Sequence, residues 1–206
     1  MGISNISYPL LINQLDKYEK EKKESVLLEM GIQENYGGYN FTYLRDDLSH
    51  NYKDYISIDL HKKPNVTQFD LSIYSPNSFK CDILTNFGTS EHVEYEEGQY
   101  NCWLNIHKWL SVGGIAIHEI PKIGNWFGHC RYYCDHNFFE YFKNIGYEII
   151  DLYDNVYEPG KLIWCTMKKV DDVDFMDKET FFNLMSIDKN VSLSNIPLEN
   201  NPKNLI

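Results

Sequence analysis

Residues 81–93 read CDILTNFGTSEHV, residues 105–121 read NIHKWLSVGGIAIHEIP, and residues 128–150 read GHCRYYCDHNFFEYFKNIGYEII. The apolar run at 81–86 has the length of a buried strand and ends in a polar loop carrying Glu91 and His92. A helical pattern follows, with Gly113-Gly114 as its stop, because glycine takes the left-handed cap at no steric cost. A second apolar run, 115–119, ends in His118-Glu119. A loop with His129 then leads into another helix and strand. Three histidines and two carboxylates are therefore expected just past strand ends, where open α/β sheets place their ligands.

The rest of the chain extends this pattern in both directions. Residues 10–23 carry a helical period, with Leu11, Leu15 and Tyr18 on one face. Residues 25–30 read as the first buried strand, and the Gly- and Asn-rich stretch 31–40 as a loop. A short helix is expected at 42–48, a second strand at 55–59 and a third at 66–71. A helix at 137–145 precedes a final strand pair at 147–152 and 161–167, joined by a turn with Pro159-Gly160. Alternating strands and helices predict an α/β fold: a seven-stranded, mainly parallel sheet with an antiparallel edge and helices on both faces. Residues 1–170 are expected to form one domain. Residues 171–206 add a helix at 177–185 and a polar tail that packs on that domain or serves assembly, so a homo-oligomer stays open.

Composition narrows the function. The net charge of −11 repels phosphate backbones and argues against nonspecific nucleic-acid binding. No apolar run reaches the roughly 18 residues of a membrane span. Cysteines 81, 102, 130, 134 and 165 are odd in number and lack CxxC spacing, which reads as reduced thiols in a cytoplasmic protein. Cys130 and Cys134 would form only half of a zinc site, with no second pair to complete it.

The segments quoted above, taken in order over about 70 residues, resemble the small-molecule branch of the class I S-adenosylmethionine-dependent methyltransferases. The matching pieces are Cys81-Asp82-Ile83-Leu84, Glu91-His92-Val93, Leu110 through Gly114, Pro121, Gly128 through Tyr132, and Gly146-Tyr147-Glu148. The resemblance implies a Rossmann-like fold, S-adenosylmethionine as cofactor, and methyl transfer to a hydroxyl or amine of a small molecule or glycan. It also implies that Glu29 and Gly31 line the amino-acid end of the cofactor, Asp59 its ribose and Asp70-Leu71 its adenine. Asn86 and Gly88 would flank it from the fourth strand. The usual GxGxG turn is replaced by residues 31–38, GIQENYGG. Either Gly37-Gly38 takes its role or cofactor affinity has been lost, which would leave a non-catalytic binding or assembly subunit.

For the acceptor half, the candidates are Glu91, His92, His118 and His129. Methyl transfer requires the acceptor to lose a proton, and a histidine, with an ordinary pKa of about 6.5, suits that at neutral pH. His118 is as readily a core histidine, and Glu119 either orients a histidine or caps its strand. His107 shares a helix face with Trp103 and reads as structural. His50, His61 and His136 read as surface residues. Trp126, Phe127, Tyr132 and Tyr133 would form an apolar lid over the site. Relatives with an EH pair and a later histidine bind a divalent metal through a fuller ExxEH motif. Here Gly88 stands where the first glutamate would be, which leaves Glu91, His92 and His129 as the ligand set. A nicotinamide-dependent oxidoreductase fits less well, because GxGxxG is absent.

Overall fold

The computed structural model describes residues 2–18, 22–126, 128–157 and 160–191. Its main sheet has seven strands: β1 (Val26–Met30), β2 (Asp54–Asp59), β3 (Thr67–Gln68), β4 (Cys81–Phe87), β5 (Leu110–Pro121), β6 (Tyr147–Tyr157) and β7 (Gly160–Lys169). The order across the sheet is β3-β2-β1-β4-β5-β7-β6. The first five are parallel, with Leu27 opposite Ile83 and Leu84 opposite Ala116. Strand β7 runs antiparallel to both β5 and β6. The expected sheet and its antiparallel edge are both present, and the order turns back at β1 and β4. That reversal opens the crevice in which such sheets hold ligands.

Helices α1 (Ser7–Lys17) and α2 (Leu44–Leu48) cover one face; α3 (Glu96–Trp109), α4 (His136–Tyr141) and α5 (Lys178–Leu184) cover the other. The first layer buries Leu11, Leu15, Leu44 and Leu48 against Leu27, Ile83, Ile117 and Trp164. The second is larger and aromatic, with Trp103 among Phe138, Phe139 and Phe142. Asp135 caps α4 by accepting from the Phe138 amide at 3.1 Å, and Asp177 caps α5 by accepting from the Thr180 amide at 2.8 Å. Such caps satisfy amides that the first turn leaves without partners.

Several expected boundaries move. Helix α1 ends at Lys17, where Tyr18 turns extended, and residues 22–24 form a separate 3-10 turn. Helix α3 ends at Trp109, before the glycine pair, because Leu110 is already extended and pairs with Cys81. Gly113, at φ +85°, lies inside the lengthened β5 beside a register shift. It marks an irregularity in a strand, which uses the same left-handed freedom as a helix cap. The third strand shrinks to Thr67–Gln68, so Asp70 and Leu71 fall in the turn after it. Pro159 and the tail beyond residue 191 lie outside the described residues. Among the described residues, no helix is long and apolar enough to cross a membrane.

Candidate active site

Two cavities open where the parallel strands end. The first, about 330 Å³, is bordered by Gly31, Asp59, Asp70, Leu71, Thr89 and His92. The second, about 240 Å³, is bordered by Gly88, Glu91, Glu119, Trp126, His129 and again His92. His92 borders both, so the two cavities adjoin at this residue.

On the first side, Asp59 ends β2 buried, and its oxygens accept from the His61 amide at 2.9 Å and the Ile32 amide at 3.3 Å. These bonds hold the carboxylate at the cavity wall and leave lone pairs for a diol. Asp70 accepts from the Ser72 amide at 2.9 Å within its turn. Gly31 has φ +67° and donates its amide to the Ile58 carbonyl. These residues fit the ribose and adenine half of a nucleoside cofactor.

The loop after β1 is built differently from a glycine-rich turn. The Gln33 side chain, fully buried, donates to the carbonyls of Met30 and Gly31. Glu29 is also fully buried and accepts from the Gln33 amide at 3.0 Å and the Ser57 hydroxyl at 2.5 Å. Burial pushes its pKa up to about 7, against the opposing pull of those bonds. Glu29 borders neither cavity, and neither does Gly37 or Gly38.

The second side centres on Glu91, which is buried in a 3-10 turn after β4 whose last residue, His92, is exposed. Both of its oxygens are buried without a hydrogen-bond partner. One stands 3.7 Å from His92 Nε2 and 3.8 Å from His129 Nε2. The two imidazoles lie edge to face, 4.9 Å between centroids. Burial lowers the His92 pKa, opposed by Glu91 and reinforced by His129, which favours a neutral ring able to take a proton. One ligand atom from each of the three residues lies within 4.8 Å of the others. Two imidazole nitrogens and a carboxylate with no protein donor suit a divalent ion with open positions.

Strand alternation decides the fate of the remaining candidates, because successive side chains point to opposite faces. His118 faces the aromatic layer. It is fully buried, tilts over Trp103 at 5.1 Å, and its Nδ1 meets Asn86 Nδ2 at 3.1 Å. Burial drops its pKa to about 3, so it stays neutral, and it borders neither cavity. Asn86 stands opposite His118 and is spent on that ring and on Ser90. It braces the turn that holds Glu91 and does not border the first cavity. Gly88, at φ +63°, borders the second cavity, not the first. Glu119 points to the α1 face, where it accepts from the Ser7 hydroxyl at 2.5 Å and from Asn155 Nδ2 at 2.8 Å. It orients no histidine. His107 is structural as expected, bonded to the Val173 carbonyl and the Tyr147 hydroxyl. His136 sits 3.1 Å from Asp154. Of the expected lid, Trp126 borders the second cavity. Tyr132 and Tyr133 are buried in a short strand paired with Ser186–Ile187, and Phe127 lies outside the described residues.

Sequence reading missed the N-terminal segment. Gly2–Ile3 pairs in parallel with Glu34–Asn35, which brings Gly2, Ser4, Ser7 and Tyr36 to the second cavity. No local motif marks these residues; only the pairing brings them there.

Neither the protein-family models nor the curated protein sequences compared with the chain give a match. Solved structures do. A S-adenosylmethionine-dependent methyltransferase from Clostridium acetobutylicum superposes with a TM-score of 0.57 at 13% identity, over 78% of this chain and 89% of that one. This chain has the fold of the S-adenosylmethionine-dependent methyltransferases. The N-methyltransferase NodS from Bradyrhizobium japonicum gives 0.58 at 11% identity, over 80% and 97% of the two chains. Magnesium protoporphyrin IX methyltransferase from Synechocystis, with bound S-adenosylmethionine, gives 0.58 at 9% identity, over 80% and 79%. The last two names differ in acceptor, so the shared fold does not name one.

Proposed function

We propose that this chain is an S-adenosylmethionine-dependent methyltransferase that methylates a hydroxyl or amine of a small molecule or sugar. The observation that carries this reading is His92, which borders both cavities and joins the Asp59 side to the Glu91–His129 side. The first cavity would take the cofactor, with Asp59 on the ribose diol, Asp70 and Leu71 on the adenine, and Gly31 allowing close backbone approach. When bound, S-adenosylmethionine supplies an electrophilic methyl group on a sulfonium. The chain's own part is to orient the acceptor and take its proton. His129 and His92, whose Nε2 atoms stand 3.8 and 3.7 Å from one Glu91 oxygen, would take that proton, and Glu91 would neutralise the imidazolium that results. The same three residues would hold a divalent ion if one is used, and its chemistry would be to lower the acceptor's pKa. The acidic surface supports a small acceptor over a polyanion.

The filled loop after β1 favours a second reading, a non-catalytic subunit of the same fold. Calorimetry with S-adenosylhomocysteine separates the two. Binding is expected, and at 100 times its dissociation constant the ligand should stabilise the fold by about 2.7 kcal/mol. Asp59→Ala should weaken that binding by roughly 1.5–3 kcal/mol, through loss of charge-assisted hydrogen bonds. Wild-type protein that binds nothing at millimolar ligand is the non-catalytic subunit. Unchanged affinity in Asp59→Ala removes the ribose contact.

A further inference from the structure

The second cavity has a lopsided hydrogen-bond inventory. Its carboxylates, Glu91 and Glu119, are both buried. Glu91 has no donor on either oxygen, and Glu119 has one donor on each. A carboxylate offers about four lone-pair sites, so acceptor capacity is in surplus here.

Side-chain donors at the same wall are already committed. Ser4 and Ser7 are bonded at 2.8 Å, and Ser7 in turn donates to Glu119, so this relay ends on the carboxylate. The Tyr36 hydroxyl donates to Glu34, and Trp126 Nε1 donates to the Lys161 carbonyl. No lysine or arginine borders the cavity among the described residues. Of the polar side chains at this wall other than the two carboxylates, only the two imidazoles can still offer or take a proton. The Trp126 indole, 5.4 Å from the His129 ring, supplies an aromatic face of the kind that attracts cations.

An anionic ligand would meet two carboxylates and, among the described residues, no lysine or arginine. A neutral alcohol brings one donor to a site with room for several. An ammonium group brings three donors and the complementary charge. From this inventory we infer that the acceptor is a small amine, drawn into the second cavity in its ammonium form by Glu91 and Glu119, with Glu119 as the specificity-determining residue. The inference rests on the methyltransferase reading and narrows it from hydroxyl or amine to amine.

The chemistry balances without a further reactant. The ammonium gives a proton to the Nε2 of His129 or His92 and becomes a neutral amine. Its lone pair forms the N–C bond to the methyl group as the S–C bond breaks, and the sulfur keeps that electron pair. The buried Glu91 carboxylate then faces the imidazolium, which passes its proton to solvent.

The test uses the full chain saturated with S-adenosylhomocysteine and three probes of one shape: benzylamine, benzyl alcohol and benzoate. Calorimetry should find benzylamine bound at least tenfold more tightly than benzyl alcohol, and benzoate not bound. Glu119→Gln should weaken benzylamine binding at least tenfold, and weaken it more than benzyl alcohol binding, while S-adenosylhomocysteine affinity holds at the wild-type value. Alcohol equal to amine, or benzoate bound more tightly than either, overturns the inference while the methyltransferase reading stands on its own cofactor binding. Failure to bind S-adenosylhomocysteine overturns both. If Glu119→Gln does not fold, the wild-type comparison of the three probes decides alone.

Discussion

His129→Ala is expected to lower turnover about 10²–10⁴-fold, the usual contribution of general-base catalysis. S-adenosylhomocysteine affinity should hold at the wild-type value, because His129 borders only the second cavity. His92 is the poorer probe, since it borders both and its loss mixes the two effects. The Nε2 of His129 stands 3.8 Å from a carboxylate oxygen that accepts no hydrogen bond and lies 3.7 Å from His92 Nε2, so removing the ring leaves Glu91 facing His92 alone. A chelator distinguishes the two roles of the triad. Activity lost with chelator and restored by a divalent ion assigns His129 as a ligand. Indifference to chelator assigns it as the base. Turnover within threefold of wild type in His129→Ala removes it from both roles.

Glu29→Gln is expected to flatten the pH dependence of stability between about pH 4.5 and 7. In the folded chain the Glu29 carboxyl has its pKa raised from 4.5 to about 7 by burial. A raised folded pKa means that its contribution is fully present below the unfolded value and is lost as pH rises through the folded one. Ionisation of this one group thus costs wild type on the order of 3 kcal/mol by pH 8, from the linkage between the two pKa values. Glutamine cannot ionise and does not pay that cost. It does carry an amide where the carboxylate accepted from both Gln33 and Ser57, so the Ser57 hydroxyl must turn to accept from that amide or go without a partner, the latter at about 1–3 kcal/mol. The absolute stability of the variant is therefore a poor readout. The difference between variant and wild type is the good one: flat below pH 4.5, rising to pH 7, and flat above. His118, with its pKa lowered to about 3, has the opposite slope and destabilises the fold as pH falls below about 6.5, but it cancels in this difference. Urea denaturation at several pH values measures it. A difference that does not change with pH would mean that Glu29 ionises in the folded chain as readily as in the unfolded one.

Much of the scaffold was legible in the sequence because its signals are local. Apolar runs of strand length and the helical periods at 10–23 and 137–145 fix elements through neighbours a few residues away. So does the sequence order of EH, GG and GH segments, which placed Glu91, His92 and His129 on adjacent loops. Helix and strand ends were less legible. Whether Leu110 ends α3 or starts β5 depends on Cys81, a partner 29 residues away.

By itself, then, the sequence determined the alternation of strands and helices, the antiparallel closing pair and the loops that carry the polar cluster. Tertiary structure decided which of those polar residues reach a cavity. His118 and Glu119 are adjacent in sequence; the first read as a candidate base or core residue, the second as orienting a histidine or capping its strand. The two-residue period of β5 sends one under Trp103 and the other to Ser7, and only the layers packed on each face make the first a core residue and the second a cavity wall. The same holds for Glu29, whose strand-end position is visible in the sequence but whose burial beneath Gln33 and Ser57 is not. Ser7 and Tyr36 carry no motif at all; they reach the second cavity because Gly2–Ile3 pairs with Glu34–Asn35. Such contacts join residues far apart in the chain, and their free energy comes from closing loops and excluding water, neither of which a local pattern records.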